Sequence, residues 1–220
     1  DVAKSTLNAT AADVPTPKNL KAEAGAGNVV NLTWDTPELS SALVKDDFES
    51  YEDWGTNFGK WTTVDADHGL AGKLSSTQTY PHQGEEWAFL NWKPNGIVSG
   101  ITAHSGSKTA VALFQVDKDG KFVDANNWLI SPQLSGKAQT VSFWVNNMSG
   151  PGGGEEFEVL TSTSNTDIKN FTKIGDTHLQ DNGSWTQINV AVPQGTHHFA
   201  IHHITKGNQA YIFMIDDAMF

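Results

Sequence analysis

The sequence contains no cysteine, so disulfide bonds and thiolate metal sites are excluded. Positive charge is also scarce, because 14 basic residues face 25 acidic ones and the formal net charge is -11. A surface this acidic argues against nucleic acid and against anionic membranes as partners. No segment approaches the roughly 18 consecutive apolar residues of a membrane-spanning helix, so membrane insertion is not expected.

Helical periodicity is also missing, since no stretch keeps an apolar 3.6-residue repeat for more than about two turns. Short alternating segments separated by Gly, Pro and Asn are present instead, with 8 Trp and 11 Phe available for a core. The main alternating segments are residues 109–116, 128–130, 140–146, 155–162, 185–192, 197–204 and 210–215. This pattern predicts an all-β protein with the architecture of a β-sandwich jelly roll.

The composition divides the chain into three regions. Residues 1–14 are small and polar and predict a flexible tail, whereas residues 45–220 form the main β region. Between them, residues 15–44 hold a Pro-led segment and, after a Gly-rich turn, a predicted half-buried strand in which Val30, Leu32 and Trp34 alternate. Because the sequence begins at Asp1 without a signal peptide, we expect any targeting segment to have been removed.

Two acidic segments at opposite ends of the main region carry the principal chemical hypothesis. They are residues 45–51, which read Lys-Asp-Asp-Phe-Glu-Ser-Tyr, and residues 212–217, which end in two Asp. In a strand, Phe48 would enter the core while Asp47 and Glu49 share the opposite face. If the two segments pair, their carboxylates gather at one edge and favour a hard cation such as calcium. Solvated strand ends are the alternative.

The terminal pair, Asp216 and Asp217, is expected to supply one direct ligand only, because adjacent residues in an extended strand face opposite ways. The other carboxylate would bond to the backbone or support a ligand. Backbone carbonyls near Gly106 and Ser107 are expected to complete the coordination.

A second candidate cation site is the loop Asp65-Ala66-Asp67-His68-Gly69. Two Asp residues separated by one position and followed by Gly form a loop that can wrap around a cation. A solvated turn without a ligand is the alternative.

An aromatic insertion at residues 80–92 is the candidate ligand-binding surface. Tyr80 and Trp92 are the predicted exposed members, which could stack on sugar rings or on an apolar partner. Trp87 and Phe89 are interpreted as core residues.

Four histidines at positions 197, 198, 202 and 203 are the remaining cluster. Residues four apart in a strand are separated by roughly 13 Å, which is too far for one ion, so a metal or haem site is a minor alternative to a solvated polar strand.

The order of landmarks along the main region resembles a known family. The landmarks are Asp47-Phe48-Glu49-Ser50, Trp61 to Asp67, Gly106 to Ala110, Asn127 to Leu134, Val141 to Val145, Glu156 to Leu160, Trp185, His197 to His203 and Ile215 to Asp217. Over residues 45–217 this order resembles the cleaved-adhesin domain of gingipain haemagglutinin/adhesin regions and of Bacteroidetes surface proteins, and also MAM-type jelly rolls. Residues 15–38 resemble the first two strands of a fibronectin type III domain. The resemblance implies structural calcium and extracellular adhesion without catalysis.

The expected function is therefore a secreted or cell-surface binding module for a host extracellular protein or glycan, carried by a longer multidomain polypeptide. The alternatives are a carbohydrate-binding module of a secreted polysaccharide-degrading system and a jelly-roll glycosidase. An enzyme is not expected, because neither Gly-x-Ser-x-Gly nor His-Glu-x-x-His occurs. Glu85 and Glu86 are adjacent and would diverge in a strand rather than form a catalytic pair.

Overall fold

The structure, a computed structural model, describes residues 18–27, 29–35, 44–94, 98, 101–148 and 153–220. The predicted tail at residues 1–14 lies outside them. The chain forms two compact units, Asp1–Leu43 and Val44–Phe220.

The described part of the first unit is one antiparallel pair, β1 (Lys18–Ala24) and β2 (Val30–Asp35). The two predicted strands are therefore confirmed. Their predicted burial is wrong, because Val30 is 63% and Trp34 54% exposed. Two strands form a single layer, and a single layer cannot cover its own apolar side chains.

The second unit is built from short strands throughout its described residues. In chain order they are β3 (Lys45–Asp46), β4 (Thr62–Asp65), β5 (Leu70–Ala71), β6 (Leu90–Trp92), β7 (Thr109–Leu113), β8 (Gln115–Val116), β9 (Asn127–Ile130), β10 (Gln139–Met148), β11 (Glu155–Ser162), β12 (Thr172–Lys173), β13 (His178–Gln180), β14 (Thr186–Val192), β15 (His198–His203) and β16 (Ile212–Met219).

These strands form two six-stranded antiparallel sheets and one small pair. The first sheet has the order β14-β10-β16-β7-β6, with β3 also paired to β16. The second has the order β12-β11-β15-β9-β4, with β13 also paired to β11. The small pair is β5 with β8. Two facing antiparallel sheets confirm the predicted β-sandwich.

The core between the two large sheets follows the alternation seen in the sequence. Val141, Phe143 and Val145 of β10 face the core and are fully buried, as are Phe199 and Ile201 of β15. The Phe143 and Phe199 rings stack across the sandwich at 6.4 Å between centroids. Each buried side chain of this size contributes about 1.5–3 kcal/mol to stability.

The outer face of the first sheet is also covered. On β7, Ala110 and Ala112 face the sandwich core, whereas Val111 and Leu113 belong to a second apolar cluster on the other side. Aromatic residues from the region 54–92, which are Trp54, Tyr80, Trp87 and Trp92, belong to this second cluster as well. The predicted strand 109–116 is split at Phe114, where the chain leaves β7 and enters the small β5–β8 pair.

Helix is confined to one 3₁₀ turn, Ile168–Asn170, among the described residues, and the Asp167 side chain caps it. In the same residues, no helix has the length and apolar character needed to span a membrane.

Candidate functional site

The two acidic segments are neighbours, as predicted. β3 pairs with the end of β16, so Asp46 lies opposite Ala218 and Lys45 opposite Met219. The pairing extends one residue further, where Val44 N donates to Phe220 O at 2.7 Å and Phe220 N donates to Val44 O at 3.0 Å. The first and last strands of the unit therefore lie side by side.

The first acidic segment leaves the sheet directly after Asp46. Phe48 has a φ of 57°, in the left-handed region that is uncommon for a bulky residue, and its ring is buried in the sandwich core. The Asp46 carboxylate accepts the Phe48 N–H at 3.0 Å, and Asp47 accepts the Glu49 N–H at 3.3 Å. The burial of Phe48 is confirmed, but the expectation that Asp47 and Glu49 share a strand face is wrong, because this stretch is a turn.

Asp46 is the residue of this segment that the sequence interpretation missed. Its Oδ2 accepts the Tyr51 hydroxyl at 2.5 Å and the Trp61 indole N–H at 2.8 Å. The carboxylate thus attaches the turn to two aromatic side chains that line the core. An acid next to other acids gives no sequence signal that distinguishes this role.

Glu49 binds a loop that we call the bridging loop, residues 104–108. Its Oε1 accepts the Ser107 and Lys108 backbone N–H groups, each at 2.6 Å, and its Oε2 accepts the Ser107 hydroxyl at 3.0 Å. The Lys108 ammonium in turn donates hydrogen bonds to the backbone carbonyls of Glu49 and Tyr51, at 3.2 and 2.5 Å. Gly106 has a φ of 59°, and a Cβ there would lie 2.5 Å from the Glu49 Cδ, so only glycine leaves room for the carboxylate.

The terminal Asp pair binds the other end of the same loop. Asp216 Oδ2 accepts the backbone N–H groups of His104 and Ser105, at 2.9 and 3.2 Å. Asp217 Oδ1 accepts the Ser105 hydroxyl at 2.9 Å, and its Oδ2 lies 2.6 Å from His104 Nδ1. The five-residue bridging loop therefore connects Glu49 to the Asp pair, although they are more than 160 positions apart in sequence.

The expectation that Asp216 and Asp217 face opposite ways is wrong. The register between β10 and β16 shifts between Ser142 and Trp144, which marks a bulge, and Asp217 has a φ of 45°. A bulge places an extra residue on one strand and turns its side chain. Both carboxylates therefore reach the bridging loop.

The three acids differ in how their pKa values respond to this environment. Burial raises the pKa of Asp216 to about 7. Burial also acts against ionisation of Asp217, but hydrogen bonds from His104, Lys45 and Ser105 outweigh it and hold its pKa below the ordinary value. For Glu49, the donors of Ser107 and Lys108 outweigh burial in the same way and lower the pKa. Asp216 is thus the carboxylate whose backbone hydrogen bonds do not outweigh the effect of burial.

The local charge is unbalanced toward the negative. Two lysines, Lys45 and Lys108, accompany five carboxylates, which are those of Asp46, Asp47, Glu49, Asp216 and Asp217. In the described residues, no group of three or more acidic or histidine side chains is already arranged to hold a metal ion. The oxygens instead accept N–H and O–H donors, although each carboxylate has about four lone-pair sites. The donor set is the hard oxygen type that calcium takes.

The second predicted site, the loop at residues 65–69, has its carboxylates engaged by the protein. Asp65 Oδ1 accepts the backbone N–H groups of Asp67 and His68, at 3.2 and 2.8 Å, and its Oδ2 accepts the Gln115 amide at 3.2 Å. Asp67 accepts Gly69 N at 2.8 Å and Asn126 N at 2.6 Å. Burial and then the Asp67 charge raise the pKa of Asp65. The geometry shows a loop held together by its own acids.

The predicted aromatic platform is not at the surface. Tyr80 is 5% exposed and Trp92 is fully buried, and both rings contact Trp54, at 5.4 and 5.7 Å between centroids. The Tyr80 hydroxyl donates to the Gly72 carbonyl. These residues cover the outer face of the first sheet, because the apolar side chains of β7 and β16 there need a second layer. Trp87 and Phe89 are buried as interpreted.

Three of the four histidines have separate partners. His198 Nδ1 lies 2.9 Å from the Ser131 carbonyl, and His203 Nε2 lies 2.8 Å from the buried Glu155 carboxylate. His202 stacks on Trp128 at 3.9 Å between centroids, and burial lowers its pKa to about 4. These separate partners give no common ligand geometry.

Comparison with known proteins agrees with this fold. Curated relatives include Lys-gingipain of Porphyromonas gingivalis, 25% identical over 180 residues that cover 73% of this chain and 9% of the relative. Hemagglutinin A of Porphyromonas gingivalis is also 25% identical, over 73% of this chain and 7% of the relative. The chain therefore spans less than a tenth of the length of the curated relatives it matches.

Among solved structures, the K2 cleaved adhesin domain of Lys-gingipain has a TM-score of 0.60 at 22% identity, covering 82% of this chain and 98% of that domain. The K1 domain from Porphyromonas gingivalis W83 has a TM-score of 0.59 at 20% identity, covering 80% of this chain and 96% of that domain. At sequence identities this low, the structural match shows a shared fold alone. The family profile described as Cleaved Adhesin Domain matches residues 45–219, which is most of the sequence. The chain therefore belongs to the cleaved-adhesin family.

Proposed function

We propose that this chain is a calcium-stabilised extracellular binding module that forms part of a longer surface polypeptide. Its family is named for adhesion, and its matched relatives carry the names gingipain and hemagglutinin. Each relative is more than ten times longer than the matched region, which supports a modular arrangement. We propose a host extracellular protein or glycan as the partner and assign no catalytic role.

The observation that carries the calcium proposal is the convergence of Glu49 and the Asp216–Asp217 pair on the bridging loop. Glu49 attaches one end of the loop to the turn after β3, and the Asp pair attaches the other end to the neighbouring strand β16. The negative charges that accumulate there repel one another, and Asp216 is buried with a raised pKa. A divalent cation would supply the missing positive charge.

The residues of this chain then have distinct roles. Asp47, Glu49, Asp216 and Asp217 would provide carboxylate oxygens, and Gly106 leaves the space that Glu49 occupies. Asp46 keeps the turn in place through Tyr51 and Trp61, whether or not an ion is bound. Asp65 and Asp67 are proposed as a second, weaker position, because their oxygens already serve their own loop.

Thermal melting in calcium and in EDTA tests the proposal. We expect millimolar calcium to raise the melting temperature, since a ligand present at 100 times its Kd adds about 2.7 kcal/mol to the free energy of unfolding. Glu49→Gln and Asp216→Asn should reduce this increase. Asp124→Asn is the matched control, because Asp124 is an exposed acid paired with Lys206. Identical melting curves of the unmodified chain in calcium and EDTA would remove the calcium claim.

Binding to a panel of immobilised extracellular proteins and to a glycan array tests the adhesive part separately. We expect at least one specific signal that weakens when EDTA loosens the bridging loop. A panel and an array without any signal would contradict the binding role and leave the calcium result unaffected.

A further inference from the structure

The first large sheet ends in an edge strand that is open along its length. This strand, β14, pairs with β10 over all seven of its residues and without a register shift. Among the described residues, no other strand pairs with β14. Its outer side therefore presents a row of backbone N–H and C=O groups, which is a template for an additional strand.

The other edges of the two large sheets are short or already covered. At β6, Trp54 N donates to Asn91 O and Asn91 N donates to Gly55 O, each at 2.7 Å, so the chain itself occupies that edge. The edge strands of the second sheet, β4, β12 and β13, have four residues or fewer. Proteins protect an edge by shortening it, by a bulge or by charged residues, and β14 has none of these features.

The side chains of β14 define which strand can pair with it. Ile188 and Val190 pack against the sandwich core but are only partly buried. Gln187, Asn189 and Ala191 alternate with them and are exposed. The strand contains no charged residue. A matching strand is therefore of similar length, is uncharged, and has apolar side chains at alternate positions toward the core.

A second copy of the same strand meets all three requirements. In an antiparallel pair centred on Asn189, this residue lies opposite its own counterpart, and Ile188 lies opposite Val190 of the second copy. Residues that lie directly opposite share a face of the sheet, so the apolar side chains meet on the core side and the polar ones on the outer side. No other edge strand of the described residues combines this length with the absence of charge.

We propose that two copies of this chain join their β14 strands in antiparallel orientation, across a two-fold axis at Asn189. The contact is isologous, since both copies contribute the same strand, and it makes one continuous sheet through two molecules. Because each chain has a net charge of -11, the two molecules repel at long range, and salt strengthens the dimer by screening this repulsion. The dimer goes beyond the proposed function, because it places two binding modules on one particle.

Sedimentation velocity of the full 220-residue chain over a concentration series tests the proposal. We expect the average mass to rise from that of one chain toward twice that value, and the Kd of the dimer to fall as sodium chloride is added. Asn189→Lys should weaken the dimer about tenfold or more, because two like charges would lie about 5 Å apart across the axis. Thr172→Lys is the matched control, since Thr172 is an exposed polar residue of another edge strand, β12. Its Kd should equal that of the unmodified chain.

A pair of charge variants distinguishes a second copy from any other occupant of the edge. Asn189→Lys and Asn189→Asp should each remain monomeric alone. An equal mixture of the two should recover the dimer, because opposite charges then face each other across the axis. Both substitutions change an exposed side chain, and matching circular dichroism melts of the two variants and the unmodified chain establish that the fold is retained.

Amide hydrogen exchange of the unmodified chain is a second measurement that needs no variant. The outward-facing amides of β14 should exchange more slowly at high protein concentration than at low, whereas the amides of β12 should not change. The proposal is overturned if the unmodified chain stays monomeric at every concentration, if Asn189→Lys dimerises as well as Thr172→Lys, if the mixture recovers no dimer, or if the protection appears on another strand instead. Preference of the β14 edge for an unrelated peptide over a second copy would overturn it too.

Discussion

Gly106→Ala is the most direct test of how the acidic segments are joined. The substitution adds one methyl group at a φ of 59°, 2.5 Å from the Glu49 Cδ and Oε1. The methyl group cannot fit unless the carboxylate moves. Movement breaks the bonds from Ser107 N, Ser107 Oγ and Lys108 N to Glu49.

The expected loss has two parts. A left-handed backbone costs a non-glycine residue about 1–2 kcal/mol. Hydrogen bonds to a charged group contribute about 1.5–3 kcal/mol each, and since Glu49 is partly exposed and can regain water, we take about 2–4 kcal/mol for the three together. For a domain of this size, each kcal/mol lowers the melting temperature by about 2–4 °C. The displaced carboxylate should therefore lower it by roughly 5–15 °C beyond the backbone effect.

Gly175→Ala separates the two parts. Gly175 has a φ of 72°, and a Cβ there would meet nothing within 4 Å, so this variant carries the backbone cost alone. Urea unfolding and thermal melts followed by circular dichroism give the difference between the two variants. Equal stability of Gly106→Ala and Gly175→Ala would refute the claim that Glu49 attaches the bridging loop.

Three further predictions follow from other contacts. Because the pKa of Asp216 is raised to about 7, its contribution to stability is fully present below the ordinary carboxyl pKa and is lost as pH rises through about 7. The melting temperature in EDTA should therefore fall between about pH 4 and pH 7, and Asp216→Asn should flatten the fall; an unchanged slope in the variant would contradict this origin. Trp92→Ala should cost about 3–5 kcal/mol in urea unfolding, as expected for a fully buried ring, and a variant of normal stability would contradict the core assignment. Asp46→Ala leaves Tyr51 Oη and Trp61 Nε1 without their acceptor and should cost about 2–4 kcal/mol, with a shift in tryptophan emission; an unchanged spectrum and stability would count against its role.

The sandwich could be predicted because apolar residues occupy alternate positions in the strands that face its core. Val141, Phe143 and Val145 occupy every second position of β10, and Phe199 and Ile201 do so in β15. The covered outer face has a weaker signal. The run Val111-Ala112-Leu113 is apolar at consecutive positions, which is typical of a strand buried on both sides. A strand buried on both sides needs a second layer over the sheet, and this requirement would have indicated that Tyr80 and Trp92 are buried.

The acidic site was predictable in position but not in detail. Pairing of the end segments brings Asp46 beside Ala218, as the distribution of carboxylates indicates. The orientation of the acids depends on positive φ values at Phe48 and Asp217. Tertiary contacts hold these residues at φ values that are unfavourable for them, so the local sequence does not predict such values.

The adjacency of Val44 and Phe220 has a mechanical consequence. If flanking chain pulls on these two residues, tension opens the β3–β16 pair like a zipper, and its hydrogen bonds give way one after another rather than together. The opening would soon reach the turn at Glu49 and the bulge at Asp217, where both ends of one loop are fastened. The bridging loop and its carboxylate partners are thus positioned to arrest peeling before the inner layers of the sandwich are exposed.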